Sequence, residues 1–432
     1  MKAIDWIRNK CSSKTVFYVL GTLLTIILLS VIFVTKGSVF SRILHSKSTG
    51  SFTDLSDMMG IGKDVYSKGQ AYPPLACLIF IFLKNCTYAG YCGLDNRVLF
   101  KTKQLSLMIL IAMIILFTAM IICVVRRLLK TGDKEKILTT VLVFFSIPVM
   151  FEFERMNIVC IAWFFLFLFL ALKDSKKKVL REIALISLAV AAGIKIYPAV
   201  FGLLLLFEKR YKETVRLVIY GLLAYLLPFL VFGGFGMLIP NIKGFLRGLF
   251  GNSNELGLNF SDRMLSDHGN YIISYVTIGN AIRIKIPFII VMMLCLIIGA
   301  FGLRDEKKRI LVLTCAMIGI PSVSFTYVLM FMIIPLMYFI NDAVKERKNV
   351  FSYIYVFLIT MILFTLPINF FKQYSGGIKN HYWNNISATT AQQMIAFTLL
   401  HITMVVEAAV VFVKNRKNGE KLQISTIKAA EE

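Results

Sequence analysis

The sequence predicts an all-α polytopic membrane protein with about twelve transmembrane helices, and three observations predict it. Hydrophobic residues make up 57% of the 432-residue chain and charged residues only 17%, against roughly 45–50% and about 25% in soluble domains. The mean hydropathy is +0.74. The apolar residues come in long runs, more contiguous apolar area than a water-soluble fold can cover. Finally, Lys and Arg gather in short segments between those runs, the pattern that fixes orientation in a membrane.

A membrane-crossing helix needs about 20 apolar residues. Read on that measure, the passes fall at 15–35, 104–125, 137–153, 157–172, 179–194, 198–207, 217–238, 286–303, 310–325, 327–340, 350–370 and 393–413. The alternate connections 1–14, 126–136, 173–181, 208–216, 304–309, 341–349 and 414–432 hold 30 of the 48 Lys and Arg residues. An excess of basic residues in short connections marks the cytoplasmic side. Both termini are therefore expected in the cytoplasm, with 414–432 as a cytoplasmic tail. The first run is too long for the apolar core of a secretory signal, and it is expected to remain as an anchor.

The chain is expected to form a single membrane-embedded domain over 1–432 in the cell membrane. Three longer segments fall on the outer face, at 36–103, 240–285 and 371–392. The apolar stretch 75–83 in the first is too short to cross, so it should lie at the interface or re-enter. Residues 179–207 are the opposite case. A continuous helix would be about 42 Å long at 1.5 Å per residue, against a core of roughly 30 Å. Both flanks, 173–178 and 208–212, are basic, and Lys195 and Pro198 interrupt the run. A helical hairpin turning at Lys195, near the outer face, satisfies all of this.

The formal charge of +24 raises nucleic acid as a partner, but the basic residues form no stripe interleaved with aromatics. Membrane lipids with anionic headgroups are the partner that the distribution fits. The eight cysteines include no CxxC pair and no neighbouring histidine-rich tract, so no zinc site is suggested. Cys86 and Cys92 fall on the expected outer face, where a disulfide is chemically allowed. No acidic cluster has metal-ligand spacing, and no metal or cofactor is expected.

Long polar segments on one face are where chemistry is expected. In the first, Asp54 and Asp57 would share a face if helical. They are either solvated charges or a place for a proton-accepting carboxylate. Tyr72-Pro73-Pro74-Leu75 follows. The segment Glu152-Phe153-Glu154-Arg155-Met156-Asn157 is either an interfacial cap or a phosphate grip, with the planar Arg155 fork as anchor and Asn157 as a polar contact. Lys195 is a cation at membrane depth, which costs about 2.5–3.5 kcal/mol, and it suits an anionic headgroup. His268, in Ser266-Asp267-His268-Gly269-Asn270, is either a phosphate or acceptor contact or a helix-entry residue. Asp262, Arg263 and Trp383 are weaker candidates, and an interfacial Trp is most often a belt residue.

In this order, Asp54, Tyr72-Pro73-Pro74-Leu75, Glu154-Arg155-Met156-Asn157 and Lys195-Ile196-Tyr197-Pro198 resemble the motifs of glycosyltransferase family 87. That family groups bacterial membrane enzymes of GT-C type, polyprenol-phosphate-mannose-dependent mannosyltransferases and their relatives. The resemblance covers the first half of the chain by motif and the second half by topology. Met156 departs from the pattern, which has glycine there.

The resemblance implies a GT-C-like fold with a large first extracytoplasmic loop. It also implies transfer of mannose or another sugar, with inversion, from a polyprenyl-phosphate-sugar donor to a glycolipid or cell-surface glycan acceptor. Asp54 would be the general base, with Asp57 as the alternative. Arg155, Lys195 and Asn157 would hold the donor phosphate, and His268, Glu154 and Tyr72 would position the acceptor or substrate. Asp54 should then lie within about 10 Å of Arg155 or Lys195, one sugar phosphate away. Two other readings stay open. A transporter or flippase for lipid-linked sugars would place its ionisable residues near the midplane. A polysaccharide polymerase or ligase would use a lipid-diphosphate donor and rely on Arg more than Asp.

Overall fold

The computed structural model describes residues 12–37, 52–60, 72–87, 104–232, 234–243, 305–319, 326–343, 349–366 and 388–417. Every regular element among them is helical. In chain order these are α1 (Ser13–Val34), α2 (Thr53–Gly60), α3 (Pro74–Thr87), α4 (Gln104–Leu128), α5 (Asp133–Phe144), α6 (Ile147–Arg155), α7 (Val159–Leu172) and α8 (Lys178–Ile194). A 3-10 turn over Tyr197–Gly202 then leads into α9 (Leu203–Phe207), followed by α10 (Tyr211–Leu226) and a 3-10 turn at Leu227–Leu230. The second half supplies α11 (Glu306–Gly319), a 3-10 segment over Thr326–Met332 that runs into α12 (Ile333–Asp342), α13 (Val350–Leu363) and α14 (Ala388–Lys417).

Among the described residues, four helices are long and apolar enough to cross a membrane: α1, α4, Tyr211–Leu230 and the Ile395–Lys414 part of α14. The expected pass at 137–153 is a broken one. Helices α5 and α6 are bent by 57° and make a fifth crossing only if taken together. Ser146 is extended at the break and Pro148 sits in the first turn of α6, where a missing N–H is tolerated at a helix start but not inside a helix. Helices α3, α7, α13 and the segments Tyr197–Phe207 and Thr326–Asp342 are apolar but shorter. They include the stretch expected at 75–83, which forms α3 at fourteen residues. Short and 3-10 segments are tolerated at membrane depth where protein surrounds them, and Thr326–Met332 is buried along its whole length. The pass expected at 286–303 lies outside the described residues.

The core runs through α7, with Cys160, Trp163, Phe167 and Leu170 buried, against α8. By contrast, α10 buries no residue, and its Val218 and Leu222 are more than half exposed, as a lipid-facing helix requires.

The long run 179–207 does turn back on itself. Helix α8 ends at Ile194, Lys195 is extended (φ −139°, ψ 127°), and Pro198 opens the returning 3-10 turn. At the other end of the hairpin Lys173 Nζ pairs with Glu208 at 2.8 Å, and Arg210 with Asp174 at 2.9 Å, so the two arms start and finish together.

These pairs belong to a larger chain of polar contacts that gathers the basic connections at one end of the bundle. Lys14 pairs with Glu135 at 2.9 Å. Asn341 accepts a hydrogen bond from the Lys130 N–H and donates to the Leu128 carbonyl, both at 2.7 Å. Lys307 pairs with Asp342 at 3.0 Å, Lys173 with Glu306 at 2.9 Å, and Lys308 with Glu407 of α14 at 2.6 Å. Helices α7 and α8, fourteen and seventeen residues long, span about 20–25 Å from this basic end to Asn157 and Lys195 at the other.

Candidate functional site

The site is built where α6 stops. Met156 adopts the left-handed conformation (φ 51°, ψ 52°), and its N–H donates to the Glu152 carbonyl at 2.7 Å. Glycine takes that conformation freely and other residues pay about 1–2 kcal/mol, which accounts physically for the glycine of the family pattern. Met156 pays that cost while fully buried.

The reversal delivers Asn157 to the start of α7. Its Oδ1 accepts the Val159 N–H at 3.1 Å, a local Asx turn that aims the amide nitrogen outward. Asn157 Nδ2 donates to Asp54 Oδ2 at 2.7 Å and to the Tyr72 hydroxyl at 3.1 Å. Asp54 itself is in the first turn of α2, where helix N–H groups favour a negative charge. That helix is tied to α6 by the Phe52 N–H, which donates to the Glu154 carbonyl at 2.6 Å.

Two cations complete the cluster. Arg155 Nε lies 3.8 Å from Asp54 Oδ1 and 3.9 Å from Glu154 Oε2. Asp54 is thus well inside the separation expected from Arg155. Lys195 reaches in from the apex of the α8 hairpin, with Nζ 3.6 Å from the centre of the Tyr72 ring, a close cation–π contact. Gly193 makes this approach possible. A Cβ there would sit 2.9 Å from Leu75 Cδ2 and 3.2 Å from Ala224 Cβ, so α3 and α10 can press against α8 just below Lys195.

The fold therefore brings together Asp54, Tyr72, Glu154, Arg155, Asn157 and Lys195 from four separate stretches of chain. Asp57 shares helix α2 with Asp54, but its side chain lies outside the described residues, as do His268, Asp262, Arg263, Trp383 and Cys92. Among the described residues, no three His, Cys, Asp or Glu side chains converge as a metal centre would need.

Three residues join the cluster without having been singled out in the sequence. Glu152 is 1% exposed, and its Oε1 accepts the Cys160 N–H at 3.0 Å. Its carboxylate and that of Asp54 both interact electrostatically with Lys195. Tyr197 and Tyr327 lie within electrostatic reach of Glu152 and Tyr72. Tyr197 stands inside the quoted Lys195–Pro198 motif, so its place was available as a signal. Tyr327, 130 positions further along the chain, gave none.

Chemically, a carboxylate that accepts one firm hydrogen bond stands beside two cations and a phenol ring. Such a group can take a proton, and the adjacent cations can stabilise a departing anion. No curated protein and no solved structure matches the chain. The family model for glycosyltransferase family 87 matches residues 71–319, which include every residue of the cluster described above except Asp54 and Tyr327. That match spans more than half of the chain, and with several helices long and apolar enough to cross a membrane, the protein belongs to glycosyltransferase family 87 and is a membrane glycosyltransferase.

Proposed function

We propose that the enzyme transfers a sugar, mannose or another hexose or pentose, from a polyprenyl-phosphate carrier to a hydroxyl of a glycolipid or surface glycan, at the outer face of the cell membrane. The observation that carries this reading is Asp54 standing 3.8 Å from Arg155 and 2.7 Å from Asn157, at the end of the bundle opposite the basic connections. A carrier whose tail lies in the bilayer presents its phosphate at such a surface, where Arg155 and Lys195 supply positive charge.

In the proposed reaction the acceptor oxygen attacks the anomeric carbon in line with the carrier phosphate. The new C–O bond forms as the bond from that carbon to the phosphate oxygen breaks, inverting the centre. The phosphate leaves with the electron pair, and Asp54 takes the acceptor's proton. Arg155 and Lys195 act on the charge that grows on the leaving oxygen. Asn157 aims Asp54, and Glu154 holds Arg155.

Positive-inside orientation supports cytoplasmic termini and a multi-pass topology. Single cysteines placed in 173–181 and beside Asp54 should label from opposite sides of the membrane, and labelling of both from the cytoplasm would overturn the orientation. The activity is tested by incubating purified protein with a panel of polyprenyl-phosphate sugars and an acceptor glycolipid extract. Release of free polyprenyl phosphate with one of them is the expected result. Turnover only with lipid-diphosphate donors would replace this reading by a polymerase or ligase.

A further inference from the structure

A buried polar atom in a folded protein is nearly always hydrogen-bonded. One left bare beside a candidate active site is a place for a ligand atom or a water. Two such atoms occur together at the site end. Glu152 Oε2 and the Tyr197 hydroxyl are both sealed from solvent with no hydrogen-bond partner. Neither has a part in the reaction proposed above.

Both groups are held in place by contacts that leave the bare atom pointing elsewhere. The other Glu152 oxygen is fixed by the Cys160 N–H at 3.0 Å. The Tyr197 ring packs edge-on against Phe331, with centroids 6.1 Å apart at 82°. Both belong to the same end of the bundle, Glu152 on the last turn of α6 and Tyr197 on the hairpin apex, and Glu152 acts electrostatically on both Tyr197 and Lys195. Tyr197 and Lys195 come from the same hairpin apex.

The chemistry narrows the occupant. Neither a buried carboxyl nor a phenol offers phosphate a positive charge, so this spot is not part of the anion grip. Lys195 beside it disfavours a cation. A buried carboxyl oxygen and a phenol, groups that exchange hydrogen bonds with hydroxyls in either direction, fit neutral hydroxyl groups.

We infer that Glu152 and Tyr197 form the subsite that reads the hydroxyls of the donor's sugar, beside the phosphate anchors Arg155 and Lys195. This rests on the polyprenyl-phosphate-sugar donor proposed above.

The test measures binding of lipids to the full-length protein in nanodiscs. The probes are bare polyprenyl phosphate and the polyprenyl-phosphate forms of mannose, glucose and arabinose. Wild type should bind at least one sugar-bearing lipid more tightly than the bare phosphate. Glu152→Gln keeps the acceptor for Cys160, and Tyr197→Phe keeps the ring, so each removes little more than the reading group. Each should weaken binding of the preferred sugar lipid by about ten- to hundredfold, the worth of a hydrogen bond to a charged or desolvated group, and leave bare polyprenyl phosphate within about twofold. An equal loss for both lipids would make the two residues structural. No loss for either would mean that water alone fills the spot. Either result overturns the subsite and leaves the donor reading standing. Wild type that binds none of the four lipids overturns the donor reading, and the subsite with it.

Discussion

At the basic end of the bundle Lys173, 2% exposed, meets Asp174, Glu208 and Glu306 at 2.6, 2.8 and 2.9 Å. At the opposite end Glu152 is as deeply buried, yet one of its oxygens has no partner. The two arrangements use the same chemistry for different ends. Lys173 holds together three chain segments that the sequence keeps far apart, and its charge is compensated within the protein. Around Asp54 the separations are wider, with Arg155 Nε 3.8 Å from Asp54 and 3.9 Å from Glu154. In the proposed reaction Arg155 and Lys195 face a phosphate that arrives and leaves, whereas Lys173 faces carboxylates that stay.

The sharpest way to break this comparison is at Asp54. Asp54→Asn keeps the shape and removes the base, so turnover should fall by roughly 10²–10⁴ while donor affinity changes little. Release of free polyprenyl phosphate measures it. Asp57→Asn is the paired control and should be milder. A dead Asp57 variant beside an active Asp54 variant would move the base three residues along.

Lys173→Met should act on stability and not on turnover. It leaves three carboxylates without their common cation, and breaking a buried pair costs about 3–5 kcal/mol. A large drop in unfolding temperature is expected, with an unchanged KM in the fraction that remains folded. Burial alone would lower the Lys173 pKa, but Glu208, Glu306 and Asp174 outweigh it and hold the ammonium above its ordinary range. A raised folded-state pKa stabilises fully below the ordinary lysine value and is lost only as pH climbs through the folded one. The contribution of Lys173 should therefore stay constant from neutral pH up to the ordinary lysine range. A stability loss near pH 7 that disappears in Lys173→Met would contradict it.

Lys195→Met tests the site end by the same exchange. Here folding should survive, and apparent donor affinity should weaken by about tenfold or more, as for a lost contact to a charged group. Unchanged kinetics would remove Lys195 from the phosphate grip. The smallest effect separates backbone from side chain at Met156. Both Met156→Ala and Met156→Gly lose the buried side chain, but only glycine also releases the left-handed strain. The glycine variant should be the more stable of the two by about 1 kcal/mol, read from paired unfolding curves. An alanine variant as stable as the glycine variant would mean that the strain is not there.

Much of this was legible from the chain. Long apolar runs set the membrane class, because no water-soluble packing covers them. Basic flanks on both sides of 179–207, with Pro198 inside it, determined the hairpin, since charge placement and proline act locally whatever packs around them. Arg155, Asn157 and Lys195 could be nominated because a charged or amide side chain at the end of an apolar run is conspicuous by itself, whereas Asp54 stood out only through the family resemblance.

Tertiary structure decided the rest. Run length gave no means of seeing that Pro148 splits 137–153 or that Thr326–Met332 is 3-10, because protein burial relaxes the need for a full-length straight helix. The sequence singled out Glu154, through its place beside Arg155, and passed over Glu152. Residues two apart on a helix point to nearly opposite sides, and only the reversal at Met156, which turns the start of α7 back toward α6, decides that Glu152 meets the Cys160 N–H while Glu154 turns to Arg155. The contact between Lys195 and Tyr72 depends on the missing side chain at Gly193, which fixes how near α3 can come. Such distances are set by three helices at once, and no local pattern in any one of them contains the answer.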